Sequence, residues 1–137
     1  MILADVVIDT DVASLVQRER APAWVHGHVS GARVWLTFVT VSELAKWAEV
    51  RSWGRTRREN LDAWVARRPV IPYDETIAKI WGQLAGAAQL RGRPRPQNDT
   101  WIAACCLRYR VPLLTMNRQD FADFVDHHGL VLLTEES

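Results

Sequence analysis

Cysteine is nearly absent from this 137-residue chain: there are two, Cys105 and Cys106, and they are adjacent. Neighbouring cysteines are too constrained for an ordinary structural disulfide, and with no second pair they cannot build a zinc site. They read as small residues of a helix. Lysine is as scarce, at Lys46 and Lys79 alone, so the other 15 basic residues are arginine. No run of about 18 uncharged apolar residues occurs, which excludes a membrane-spanning helix. The opening MILADVVIDTD lacks a basic start and a small-residue cleavage site, so no secretory signal is expected and the cytoplasm is the expected location. Glycine and proline are few, 7 and 6, against 48% hydrophobic residues. That balance excludes collagen-like and disordered chains and leaves a packed, soluble domain. The length fits one domain spanning 1–137.

A net charge of +1 conceals an uneven distribution. Residues 51–68 carry six arginines (Arg51, Arg55, Arg57, Arg58, Arg67, Arg68) against Glu59 and Asp62, whereas from Asp120 onward there are five acids and no Lys or Arg. Any basic partner surface therefore lies in the first two thirds of the chain. The preference for arginine suits bidentate phosphate binding, and a codon bias accounts for it equally well.

Val6-Val7-Ile8 is a β-branched apolar run that reads as a buried strand, followed at once by Asp9-Thr10-Asp11 and a helix to about Gln17. A helix over Pro22 to Val29 and a strand from Val34 to near Thr40 follow. Thr40 to about Trp53 and Thr56 to Arg67 are expected as a helical arm at about 41–67 with a basic outer side. Val70-Ile71 reads as a third strand, Asp74 to Leu90 as a long helix broken by the Arg- and Pro-rich segment 91–96, and Asn98 or Asp99 as the start of the next helix. Pro112 to Thr115, Arg118 to Val125 and Leu130 to Leu133 complete the pattern as strand, helix and strand. Alternating strands and helices imply an α/β fold with a mostly parallel sheet and right-handed crossovers. Sites in such folds form beyond the carboxyl ends of the strands.

Four segments place an acid or amide at such an end: Asp9 with Asp11, Glu43, Asn98 with Asp99, and Asn117 with Asp120. Each alone has a structural explanation. Asp11 and Asp99 can cap or open their helices, and Thr40 with Glu43, like Asn117 with Asp120, has capping-box spacing. Their coincidence on one edge is the signal, because carboxylates that close repel unless a cation neutralises them. The donors are all oxygen, which selects Mg²⁺ or Mn²⁺ over zinc, and phosphodiesters are the natural substrates of such a site.

Four segments carry a resemblance: Val7-Ile8-Asp9-Thr10-Asp11-Val12-Ala13-Ser14, Ser42-Glu43-Leu44, Asn98-Asp99-Thr100-Trp101-Ile102-Ala103-Ala104, and Leu114-Thr115-Met116-Asn117-Arg118-Gln119-Asp120-Phe121. In order and spacing, over essentially the whole chain, they resemble the motifs of PIN-domain ribonucleases, and the small size is similar to the VapC toxins of VapBC toxin-antitoxin pairs. The resemblance implies a PIN-like three-layer α/β/α fold with about five short strands, and a catalytic set of Asp9, Glu43, Asp99, Asn117 and Asp120. It implies that Asp9 and Asp99 hold Mg²⁺ or Mn²⁺, that Glu43 completes the acidic cluster, and that either Asp120 as ligand or Asn117 as positioning residue fills the fourth place. Asp11 departs from the commoner Asn, adding a charge that binds a water-linked metal or caps the helix. Thr10 or Thr115 would orient water or a ligand.

The implied activity is endoribonucleolytic hydrolysis leaving a 5′-phosphate and a 3′-hydroxyl, on a structured RNA such as a transfer or ribosomal RNA. The implied partners are a VapB-type antitoxin and a second copy of the chain. Arg51, Arg55, Arg93 and Arg95 are the expected contacts to the RNA backbone, and a solvated helix face explains them equally. Trp47, Trp64, Trp81 and Trp101 sit at core spacing, and the four histidines show no ligand pattern. Two rivals remain. Asp9-Thr10-Asp11 also looks like the nucleophile motif of haloacid-dehalogenase-type phosphatases, although neither lysine lies outside a helix. A PIN-like module that binds RNA or protein without cutting it is the other.

Overall fold

The computed structural model describes residues 3–137. Five strands form one sheet in the order β3-β2-β1-β4-β5, with every neighbouring pair parallel. They are β1 (Ala4–Ile8), β2 (Ala32–Thr37), β3 (Val70–Ile71), β4 (Leu113–Leu114) and β5 (Leu132–Leu133). The helices are α1 (Thr10–Gln17), α2 (Ala23–Val29), α3 (Phe38–Val50), α4 (Arg55–Ala66), α5 (Glu75–Leu90), α6 (Gln97–Tyr109) and α7 (Arg118–His128). β1 is central, pairing Val6 with Val34 on one side and Ile8 with Leu114 on the other.

Alternation along β1 and β4 separates two cores, because successive side chains of a strand point to opposite faces. Val7 and Leu113 join Ile77, Leu84, Ile102, Phe121 and Phe124 under α5, α6 and α7. Val6, Ile8 and Leu114 join Val12, Val25, Leu44, Ala48 and Leu61 under α1 to α4. Helices thus cover both faces of the sheet, and the three-layer α/β/α arrangement read from the sequence holds. Cys105 and Cys106 are buried in α6, where desolvation pushes the Cys105 thiol up to about 12 and Cys106 well above its ordinary value. They are packing residues.

Helix starts account for most of the differences from the sequence reading. β2 ends at Thr37 and α3 begins at Phe38, two residues earlier than Thr40. Thr37 is the N-cap, its hydroxyl accepting from Thr40 N at 3.2 Å, so Thr40 and Glu43 do not form a capping box. At α1 the cap is Asp9 and not Asp11: Asp9 Oδ1 accepts from Val12 N at 3.0 Å, and Asp11 falls in the first turn. α6 begins at Gln97 after Pro96, placing Asp99 third in the helix. Asn117 stands at the N-cap of α7, but its side chain makes no capping bond. Released from capping, Glu43 bonds to Thr10 and Asp11 to Asn117, both far away in sequence. α7 also runs on to His128, three residues past the expected end, where Gly129 closes it at φ +77°.

Candidate active site

Because all strands are parallel, Asp9 after β1, Thr37 and the start of α3 after β2, and Thr115 after β4 emerge on one edge, and α6 brings Asp99 to it. Asp9 and Asp11 bind the turn after β4, and Thr10 between them binds α3. Asp9 is 4% exposed; its Oδ2 accepts from Thr115 Oγ1 at 2.6 Å, in addition to the Val12 bond. Thr10 Oγ1 donates to Glu43 Oε1 at 2.7 Å and lies 3.0 Å from Thr40 Oγ1. A hydroxyl has one proton to give, so Thr40 donates to Thr10 and the relay runs Thr40 to Thr10 to Glu43. Asp11 Oδ2 accepts from Asn117 Nδ2 at 2.9 Å. Asn117 N in turn donates to Thr115 Oγ1 at 3.0 Å, so one short turn anchors both Asp9 and Asp11.

These bonds hold acids together against their own repulsion. Burial pushes the Asp9 carboxyl up to about 6; the Thr115 and Val12 hydrogen bonds oppose the shift, and the charges of Asp11 and Asp99 add to it. Half-buried Asp99 is also pushed up to about 6, by desolvation first and then by Asp120, Glu43 and Asp11, with Arg95 opposing. Each of these five acids therefore feels at least one of the others. Among the described residues no three of them already close into a metal-ligating group. Both Asp9 oxygens and one Glu43 oxygen accept hydrogen bonds from protein donors. The donor set still fits a hard divalent cation, being all oxygen, strongly anionic, and built around a desolvated carboxylate that an added positive charge would relieve.

The sequence-derived set is brought together unevenly. Asp9, Glu43, Asp99 and Asn117 lie on the edge. Asp120 is exposed in the first turn of α7, and its charge reaches Asp99. Of the four arginines expected to meet RNA, Arg95 is the one whose charge reaches Asp99. Arg93 is exposed in the same loop. Arg51 follows α3 eight residues after Glu43, about 12 Å along the helix axis, and its guanidinium lies over the Trp47 ring at 4.7 Å. Arg55 pairs with Glu59 at 2.9 Å on the far end of α4. Thr40 was missed as part of the site, because its 3-residue spacing to Glu43 imitates a cap; an apolar run extending through Val39 was the available sign that a buried hydroxyl there needs a partner.

An α/β/α domain with an acidic carboxyl edge is the class that fold and site define. The sequence matches the PIN domain family over residues 6–126, and the chain belongs to that family. A curated relative is Ribonuclease VapC1 of Haemophilus influenzae (strain R2866), 27% identical over 124 residues, covering 88% of this chain and 92% of the relative. Among solved structures, VapBC-1 from nontypeable Haemophilus influenzae superposes with a TM-score of 0.78 at 24% identity, covering 97% of this chain and 99% of the other. DNA-bound VapBC from Salmonella typhimurium gives 0.79 at 19% identity, covering 96% and 98%.

Proposed function

We propose that this protein is a metal-dependent endoribonuclease of the VapC toxin type, hydrolysing phosphodiesters of a structured RNA to leave a 5′-phosphate and a 3′-hydroxyl. The observation that carries the reading is the buried Asp9 carboxyl, fixed by Thr115 and Val12 within reach of the charges of Asp11 and Asp99. A fold has no stability reason to gather repelling acids around a desolvated one. Asp9, Asp99, Glu43 and Asp120 would hold Mg²⁺ or Mn²⁺, which when bound acts as a Lewis acid toward the phosphoryl group and lowers the pKa of water. Thr115 orients Asp9, and the Thr40–Thr10 relay orients Glu43. Arg95, whose charge reaches Asp99, and Arg93, exposed in the same loop, would meet the phosphate backbone, with Arg51 and Arg55 as outer contacts.

The VapC-type reading extends to partners: a VapB-type antitoxin and a second copy of this chain. An apolar groove of about 370 Å³ between α3 and α4, lined by Val41, Leu44, Ala48, Leu61 and Val65, would accept an apolar antitoxin segment. The test of the activity is incubation of total cellular RNA with purified protein in Mn²⁺ and in EDTA, beside the Asp99→Asn variant. Discrete fragments that require both the cation and Asp99 are expected. Intact RNA in the presence of protein shown to bind Mn²⁺ would overturn the nuclease reading and favour a non-cutting module.

A further inference from the structure

Asp11 is an exposed carboxylate in the first turn of α1 that performs no capping, because Asp9 already takes the Val12 N–H. Its partner comes from 106 positions away: Asn117 Nδ2 donates to Asp11 Oδ2 at 2.9 Å. Asn117 cannot drift from that position, since its backbone N–H donates to Thr115 Oγ1 at 3.0 Å and the Thr115 hydroxyl donates to Asp9 Oδ2 at 2.6 Å. Asp9 and Asp11 are thus held by one rigid turn, the first through a hydroxyl and the second through an amide. The choice of an amide matters. A lysine or arginine at 117 would neutralise Asp11, whereas a neutral donor aims the carboxylate and leaves its charge available.

The alternative fourth acid, Asp120, has no side-chain hydrogen bond among the described residues. Its backbone N–H donates to Asn117 O at 3.0 Å, and the carboxyl is exposed without a partner to direct it.

We propose that Asp11, aimed by the Asn117 side-chain amide, is the fourth carboxylate of the cation site, with Asn117 as its positioning residue. The proposal rests on the nuclease reading for the identity of the cation, and it replaces Asp120 in that place. It also makes a specific demand: the carboxylate and the amide are interchangeable across their 2.9 Å contact.

The experiment is calorimetric titration of the full metal-free chain with Mn²⁺, using wild type, Asp11→Asn, Asn117→Ala and the exchanged pair Asp11→Asn with Asn117→Asp. Thermal unfolding in EDTA accompanies each to show that it is folded. Asp11→Asn should weaken Mn²⁺ binding about tenfold or more, and Asn117→Ala should weaken it in the same direction by less. The exchanged pair should regain most of the wild-type affinity, a recovery that a purely structural role for either residue does not produce. Wild-type affinity in Asp11→Asn, or an exchanged pair no tighter than Asp11→Asn alone, overturns the proposal. A wild-type chain that takes up no Mn²⁺ instead removes the nuclease reading itself, so the two failures are distinct.

Discussion

On the α3–α4 arm most arginines meet a local partner; at the carboxyl edge of the sheet the acids are pressed toward one another. Arg55 pairs with Glu59 and Arg58 with Glu49, while Arg51, Arg57 and Arg68 lie over the rings of Trp47, Trp53 and Trp64. Arg58 further donates to the Trp53 and Ala48 carbonyls, closing the α3–α4 corner. These contacts are local, and the arginines stacked on tryptophan keep their charge. At the edge, two carboxyls are pushed up to about 6 by burial and by other acids; a threonine hydroxyl and a backbone N–H hold Asp9, and an amide holds Asp11 beside it. The lesson is that charge density alone does not locate function. The arm is the most charged stretch of the chain, yet the strained electrostatics are at the edge.

The comparison breaks most sharply under substitution of the edge. On the proposed reading, in which both residues would hold the cation, Asp9→Asn and Asp99→Asn should each lower RNA cleavage by at least about a hundredfold. Single-turnover cleavage at saturating Mn²⁺ checks this. Arg51→Ala and Arg55→Ala should change the same rate little.

Next in size is pH. Asp9 and Asp99 have folded-state pKa values raised from 3.8 to about 6. Between about pH 4 and 6 the folded chain therefore holds protons that the unfolded chain has released, so the stability these two groups contribute without metal is fully present below about pH 4 and lost as pH rises through about 6. Asp9 alone is worth roughly 3 kcal/mol of that loss, with a smaller, solvent-screened share from half-exposed Asp99. Denaturant titrations in EDTA between those pH values measure it. Asp9→Asn should flatten most of the dependence, and Mn²⁺ should reverse it in wild type.

Thr115→Val tests how the edge is held. It removes the 2.6 Å bond to a buried carboxylate and the acceptor of Asn117 N, so about 1.5–3 kcal/mol of stability at neutral pH should be lost. The smallest effect belongs to the arm: Arg55→Ala breaks an exposed i,i+4 pair and should cost no more than about 0.5 kcal/mol. In RNA binding, Arg95→Ala should weaken affinity more than Arg51→Ala, which filter binding at two salt concentrations would measure.

Much of this architecture was legible in the chain. The β-branched run before Asp9, the alternation of short strands with amphipathic helices and the acids at strand ends led to a parallel α/β/α fold with a carboxyl-edge site. What was not legible is where side-chain oxygens go once the helices dock. Capping spacing at Thr40 and Glu43 is real in the sequence, but Thr37 takes the cap because β2 ends there, and Glu43 is left to bind Thr10. Asp11 and Asn117 lie 106 positions apart, and their contact depends on β1 and β4 being neighbours in the sheet. Likewise, the partners of the arm's arginines, Trp47, Trp53, Trp64 and Glu59 one turn away and Glu49 on the neighbouring helix, come within reach only after folding.

The most direct test of the central claim is Mn²⁺ titration of the metal-free protein near pH 6 with proton release followed in buffers of different ionisation heat. If the edge is a cation site built on Asp9 and Asp99, binding should release protons, and Asp9→Asn should lose its share of the release and most of the affinity. Uptake of Mn²⁺ with no proton release, unchanged by Asp9→Asn, would contradict it.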